Sequence, residues 1–140
     1  MSSIGGFDLA IYSIVGLIKT INDLRLAYQD LQDLRFYQKE QKMTTTDGKI
    51  YNNVEVIVKD ENNRSIGFQK QKDGSYRIIA DNYGLNPEQI KKQKEFINKI
   101  KRRYAYNMLI QELKKQGYEI YEEKKLEKDV VKLIARKWIA

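Results

Sequence analysis

The side chains that most often perform chemistry are missing from this chain. Among its 140 residues there is no histidine and no cysteine. Without cysteine there can be no disulfide, thiolate nucleophile, iron–sulfur cluster or cysteine-bound zinc. Without histidine the chain lacks the usual neutral-pH general base and the commonest metal ligand. Carboxylates remain, but Glu122 and Glu123 are neighbours in a strand-like stretch and point to opposite faces, so they form no convergent acid–base pair. Gly5-Gly6 lacks the spacing of a phosphate loop, and neither Gly-x-x-x-x-Gly-Lys nor Gly-x-Gly-x-x-Gly occurs. The expectation is a protein with no catalysis, cofactor, metal or small-molecule substrate.

Charge and grease are the features left to carry function. The net charge is +7, which suits an anionic partner, although lysine-rich, alanine-poor composition of this kind also follows from AT-rich codons. The cations Lys91, Lys92, Lys99, Arg102 and Arg103 cluster on one stretch. A helix tracking phosphates with such residues would bind RNA in a salt-dependent way. No RNP-type string accompanies it. The second candidate is apolar: Tyr106, Leu109, Ile110 and Leu113 share one helical sector. That sector is covered either by another element of the chain or by a protein partner or second copy.

Both candidates are positioned by one helix, predicted from Asn86 to Gly117. Asn86 is a good N-cap, Pro87 suits the first position, and Gln89 completes a capping box; Gly117 suits the residue after the helix, behind Lys114 and Lys115. At 1.5 Å per residue it is roughly 40–45 Å long. Advancing 100° per residue places Ile90, Ile97, Ile100, Tyr104 and Met108 on a stripe facing the fold. The cations lie opposite, and past Arg103 that opposite sector turns apolar.

Strands surround the helix. Phe7, Leu9 and Ile11 alternate as a first strand, and Ser13 caps a helix from Ile14 to about Asp23. From Leu24 to Gln41 two readings stay open: continued helix through Leu24, Tyr28, Leu31 and Leu34, or short extended pieces such as Leu34 to Tyr37. Lys42 to Lys49 is expected to be a loop. A meander follows, with Val54, Val56 and Val58 on one face, a turn at Glu61 to Arg64, then Ile66 and Phe68, a turn at Lys72 to Ser75, and Tyr76, Ile78 and Ala80. Tyr118 and Ile120 begin another strand, and a turn lies near Glu127 to Asp129. The last strand, Val130 to Trp138, is apolar on both faces and is expected in the middle of the sheet. The fold class is α+β, one domain over residues 1–140. Its antiparallel sheet has about five or six strands, with the long helix and an N-terminal helix on one face. The uncharged run from Leu9 to Ile18 is too short to span a bilayer, and no targeting segment is expected.

The strings IGFQKQKDGSYRIIAD, FINKIKRRYAYNMLIQELKKQGYEIYEE and VVKLIARKW resemble a plastid and cyanobacterial family, the hypothetical chloroplast reading frame number thirty-five. The resemblance is carried by Gly67-Phe68, Ala80-Asp81, Arg103, Tyr104 and Tyr106, Gly117 and Trp138. It covers about the last 75 residues well and those before Asn53 poorly. Asn107 stands where the family often has histidine, so any chemistry of that histidine is absent here. The family has no settled function. The resemblance implies the plastid stroma or a cyanobacterial cytoplasm, and an accessory role in a photosynthetic or ATPase-linked assembly.

Overall fold

The computed structural model describes residues 10–27, 36–37, 41–125 and 131–137, with side chains over 10–24 and 42–120 and at Ala135. The elements in chain order are α1 (Ile14–Ala27), β1 (Phe36–Tyr37), β2 (Gln41–Thr44), β3 (Ile50–Lys59), β4 (Ser65–Lys70), β5 (Tyr76–Ala80), α2 (Pro87–Lys115), β6 (Tyr118–Lys125) and β7 (Val131–Lys137).

Short turns force the meander to be antiparallel. In the β3–β4 turn, Asp60 Oδ1 accepts from the backbone N–H groups of Asn62 and Arg64, both at 2.9 Å. In the β4–β5 turn, Asp73 accepts from the Ser75 N–H at 2.9 Å. β4 lies between β3 and β5, and the far edge of β3 is shared by β1 along Ile57–Val58 and by β2 nearer the start of the strand. The α+β class, the antiparallel sheet and the helices on one face are as the sequence indicates. Val56, Val58, Ile66, Phe68 and Tyr76 form the helix-covered side. They join Leu17, Ile21 and Leu24 of α1 and Phe96, Ile100 and Tyr104 of α2 in one core. Each large apolar side chain buried there contributes ~1.5–3 kcal/mol, more than any exposed ion pair, so this core sets the orientation of both helices.

Several expectations change. Val54 does not share a face with Val56 and Val58. The register slips between Val54 and Val56, so Val54 opposes Gln69 while Val56 opposes Phe68. This bulge turns Val54 to the other side of the sheet, where it packs with Met43, Ile57 and Ile79. Gly67 lies beneath that second cluster. A Cβ on it would come within 2.5 Å of Met43 Sδ and 2.9 Å of Val54 Cγ1, so only glycine fits without displacement. The stretch Lys42–Lys49 is not all loop, because Gln41–Thr44 pairs with β3 and only the following residues turn. The last strand does not sit centrally. β7 pairs with β6 in a separate two-stranded ribbon, and among the described residues neither joins the main sheet. Ile11 forms a single antiparallel bridge to Tyr76. Of the open alternatives, α1 continues through Leu24 to Ala27, and Phe36–Tyr37 is extended. The assignments of Phe7, Leu9, Tyr28, Leu31, Leu34, the Glu127–Asp129 turn, Val130 and Trp138 lie outside the described residues.

Candidate protein-interaction surface

α2 is unbroken over 29 residues, and its ends follow the local signals. The Asn86 side chain accepts from the Gln89 N–H at 2.8 Å, and the Gln89 side chain accepts from the Asn86 N–H at 3.0 Å. Gly117 takes φ +89°, a left-handed conformation that turns the chain into β6 with little strain.

Three polar anchors hold the inner side of this helix. Near its start, Gln93, 3% exposed, donates from Nε2 to Asp60 Oδ2 at 3.1 Å and to the Asp81 carbonyl at 3.0 Å. Asp81 itself accepts from the Thr46 N–H and hydroxyl at 3.0 and 2.7 Å and pairs with Arg64 at 3.4 Å. In mid-helix the Tyr104 hydroxyl accepts from the backbone N–H groups of Tyr12 and Ser13, at 3.2 and 3.1 Å, just before α1 begins. One turn on, Asn107 donates to Thr20 at 3.2 Å and to Asp23 at 3.0 Å. Asp23 also pairs with Arg103 at 3.4 Å and with Lys19 at 3.2 Å. Buried polar groups are costly unless satisfied, so these contacts fix the rotation of α2. The buried residues are Gln93, Phe96, Ile100, Tyr104, Ala105 and Asn107, and all but the small Ala105 fall on one line. Ile97, Ile90 and Met108 are only partly buried, so the inner face is turned by roughly 50° from the predicted stripe at 100° per residue.

The predicted cations divide. Lys91, Lys92 and Arg102 are exposed, while Lys99 and Arg103 are partly buried. Lys92 and Lys99 line a cleft of about 230 Å³ that they share with Asp60, Glu61 and Glu95. Arg103 is held by Asp23 and lies over the Tyr106 ring, 5.1 Å from its centre. The five cations are therefore not one continuous basic face.

The apolar residues of the other sector lie away from the buried line. Leu109 is 46% exposed, and Tyr106, Ile110 and Leu113 around it are partly buried. None of the four belongs to the core shared by Ile97 and the sheet. Beyond Leu113 the helix end and the start of β6 frame an open notch of about 530 Å³, lined by Lys114, Gly117, Tyr118, Glu119 and Ile120. The sequence found this sector by periodicity. It did not reveal Gln93, Asn107, Thr46 or Arg64, because a polar residue that bonds across a fold carries no local pattern. Asp60, just before the ENNR turn, is not singled out either, although an aspartate at that place is a local signal of a side-chain-capped turn.

The family described as "Protein of unknown function (DUF1257)" matches residues 22–134. The match takes in stretches before Asn53 that carry little of the motif string. The uncharacterized protein ycf35 of Pyropia yezoensis is 31% identical over 120 residues, covering 85% of this chain and 91% of the relative. The uncharacterized protein ycf35 of Cyanophora paradoxa is 29% identical over 125 residues, covering 87% and 86%. No solved structure matches the chain.

Proposed function

The chain belongs to the DUF1257 family of proteins of unknown function, and from that premise we propose that it is a non-enzymatic accessory protein that docks onto a larger protein assembly. The observation that carries this reading is Leu109. A large aliphatic side chain stands 46% exposed on a helix whose opposite side is locked in place, and Tyr106, Ile110 and Leu113 extend it into a seam. The buried carboxylates Asp60 and Asp81 are engaged in holding strand ends and α2 together, which suits a scaffold rather than a catalyst. The reading-frame name shared by the relatives supports a plastid origin, with the stroma, or a cyanobacterial cytoplasm, as the place of work.

Affinity capture from that compartment, paired with size measurement, tests the proposal. Leu109→Lys exposes no new core and is expected to melt within about 0.5 kcal/mol of wild type. Wild type should retain a stoichiometric protein partner that Leu109→Lys and Leu113→Lys lose. If the folded Leu109→Lys variant keeps the same partners, or if it unfolds, the sector is interior packing and the proposal fails. RNA binding through Lys91, Lys92, Lys99, Arg102 and Arg103 is the second reading, favoured by the nine Lys or Arg residues against three Glu on α2. The acidic residues in the cleft and the tethering of Arg103 place it second.

A further inference from the structure

The cleft between the β3–β4 turn and the first half of α2 is lined by two side-chain amides with bonding capacity to spare. Gln93, 3% exposed, spends its Nε2 on Asp60 Oδ2 at 3.1 Å and on the Asp81 carbonyl at 3.0 Å. Its Oε1 is the atom left over, and it accepts from none of the described residues. Asn62 belongs to the facing wall. Its backbone N–H is held by Asp60, but its Nδ2 is shut off from water and meets no acceptor. A buried donor in that state is costly. No described residue bonds the rest of this side-chain amide, so rotation about its last torsion can turn the N–H groups to the cleft. The rim adds charges of both signs. Lys92 and Glu95 on the helix and Glu61 on the turn are exposed and form no ion pair among the described residues. Lys99 already has a partner and takes no part.

A simple anion placed here would face Glu61 and Glu95, and a simple cation would face Lys92. Unmatched charges select against both, whereas a molecule carrying one charge of each sign satisfies the rim and both amides. The cleft measures about 230 Å³, room for roughly ten non-hydrogen atoms and less than a drug-sized ligand needs. Its apolar surface is Phe96, 7% exposed. We propose that this cleft binds a free α-amino acid with an aliphatic side chain. The ammonium group donates to Gln93 Oε1, with Glu95 and Glu61 beside it. The carboxylate accepts from Asn62 Nδ2 and lies next to Lys92, and the side chain rests on Phe96. Hydrogen bonds to ionised groups are the stronger kind, so the ligand's two charges supply most of the selectivity. The cleft is distinct from the Tyr106–Leu113 sector, and neither reading depends on the other.

Three probes of nearly one shape test this on the full chain: L-leucine, 3-methylbutylamine, which lacks the carboxylate, and 4-methylpentanoate, which lacks the ammonium group. Backbone amide shifts near Asn62 and Gln93 should report leucine binding with a Kd on the order of 0.1–1 mM. Each half-ligand should bind about tenfold more weakly. Asn62→Leu should weaken leucine about tenfold, leave 3-methylbutylamine unchanged, and not lower the melting temperature, since it removes a donor that has no partner. Glu95→Gln should weaken leucine and 3-methylbutylamine but not 4-methylpentanoate. If none of the three probes shifts these amides at about 10 mM, the cleft holds water only and the proposal is overturned. Leucine bound no better than 3-methylbutylamine makes it a cation site, and leucine bound no better than 4-methylpentanoate makes it an anion site; either result overturns the proposal. So does leucine binding that neither variant changes, which places the ligand elsewhere on the chain.

Discussion

Tyr104→Phe removes one oxygen and leaves the ring in place. That oxygen lies on a side chain only 2% exposed and accepts from two backbone donors, Tyr12 N at 3.2 Å and Ser13 N at 3.1 Å. Each lost hydrogen bond costs about 0.5–1.5 kcal/mol net, and more if the donor is left dry. Tyr12 is 58% exposed, so water can reach its N–H and the lower figure applies there. Ser13 is partly buried, so the higher figure applies. The expected loss is about 2 kcal/mol, which for a chain of this size lowers the melting temperature by about 6–10 °C. The loss should also be directional. Amide hydrogen exchange should accelerate in the first turn of α1, whose approach the hydroxyl fixes, and much less in the meander. Tyr104→Ala, which also deletes a ring packed in the core, should cost about 3–5 kcal/mol. A Tyr104→Phe protein with unchanged melting and unchanged α1 exchange would refute the view that this hydroxyl ties the two helices together.

Two further outcomes follow from individual contacts. Gly67→Ala forces a methyl toward Met43 Sδ and Val54 Cγ1 and should destabilise by about 1–3 kcal/mol in chemical denaturation. Adding Met43→Ala should give a double variant more stable than the sum of the two losses by about 1 kcal/mol, because one of the colliding groups is gone. Tyr76 supplies a pH dependence. Burial, and next its bond to Glu55 at 2.8 Å, push its hydroxyl from 10.0 up to about 12. The folded state therefore holds this proton longer than the unfolded chain does. The contribution is complete below pH 10 and disappears as the pH rises through 10 towards 12. Tyr76→Phe should flatten that part of the stability–pH curve; an identical alkaline limb in both proteins would show that Tyr76 is not the group responsible.

α2 and the meander were legible because their determinants are local. A capping box, a proline at the first helical position and a glycine after the last turn act within a few residues of one another. Strand alternation and short polar turns do the same for β3, β4 and β5. Local pattern misleads where a distant contact overrides it. A single bulge reverses the face of Val54, and nothing in the string IYNNVEV announces which residue is extra. β2 was hidden because Thr44 and its polar neighbours resemble loop composition, although Met43 beneath them is buried. The two-sided apolar pattern of the last strand does not distinguish a central position in a sheet from pairing in a ribbon with β6. The rotation of α2 escaped detection because Gln93 and Asn107, polar by type, are buried by virtue of their partners. Of the candidate site, the Tyr106–Leu113 sector was readable from periodicity. The division of the cations into exposed, cleft-lining and tethered residues required the fold.

The resemblance motif and the proposed surface stand in a definite physical relation. Phe68 is in the core, Gly67 clears space for Met43, Asp81 collects Thr46 and Arg64, and Tyr104 anchors the start of α1. Arg103, another motif residue, joins Asp23 to the ring of Tyr106 and so connects the scaffold to the edge of the seam. Phe68, Asp81, Tyr104 and Arg103 restrict how α2 can translate or rotate, while Gly67 acts on the other side of the sheet. Docking on a helix already fixed at Gln93, Tyr104 and Asn107 requires little further ordering of the backbone, and the cost of association falls accordingly. A loosely held helix carrying the same leucines would give up part of its binding free energy to immobilisation. If the docking proposed above holds, the motif serves it without touching a partner: it fixes α2 from Gln93 to Asn107, and Leu109 follows directly on that fixed stretch.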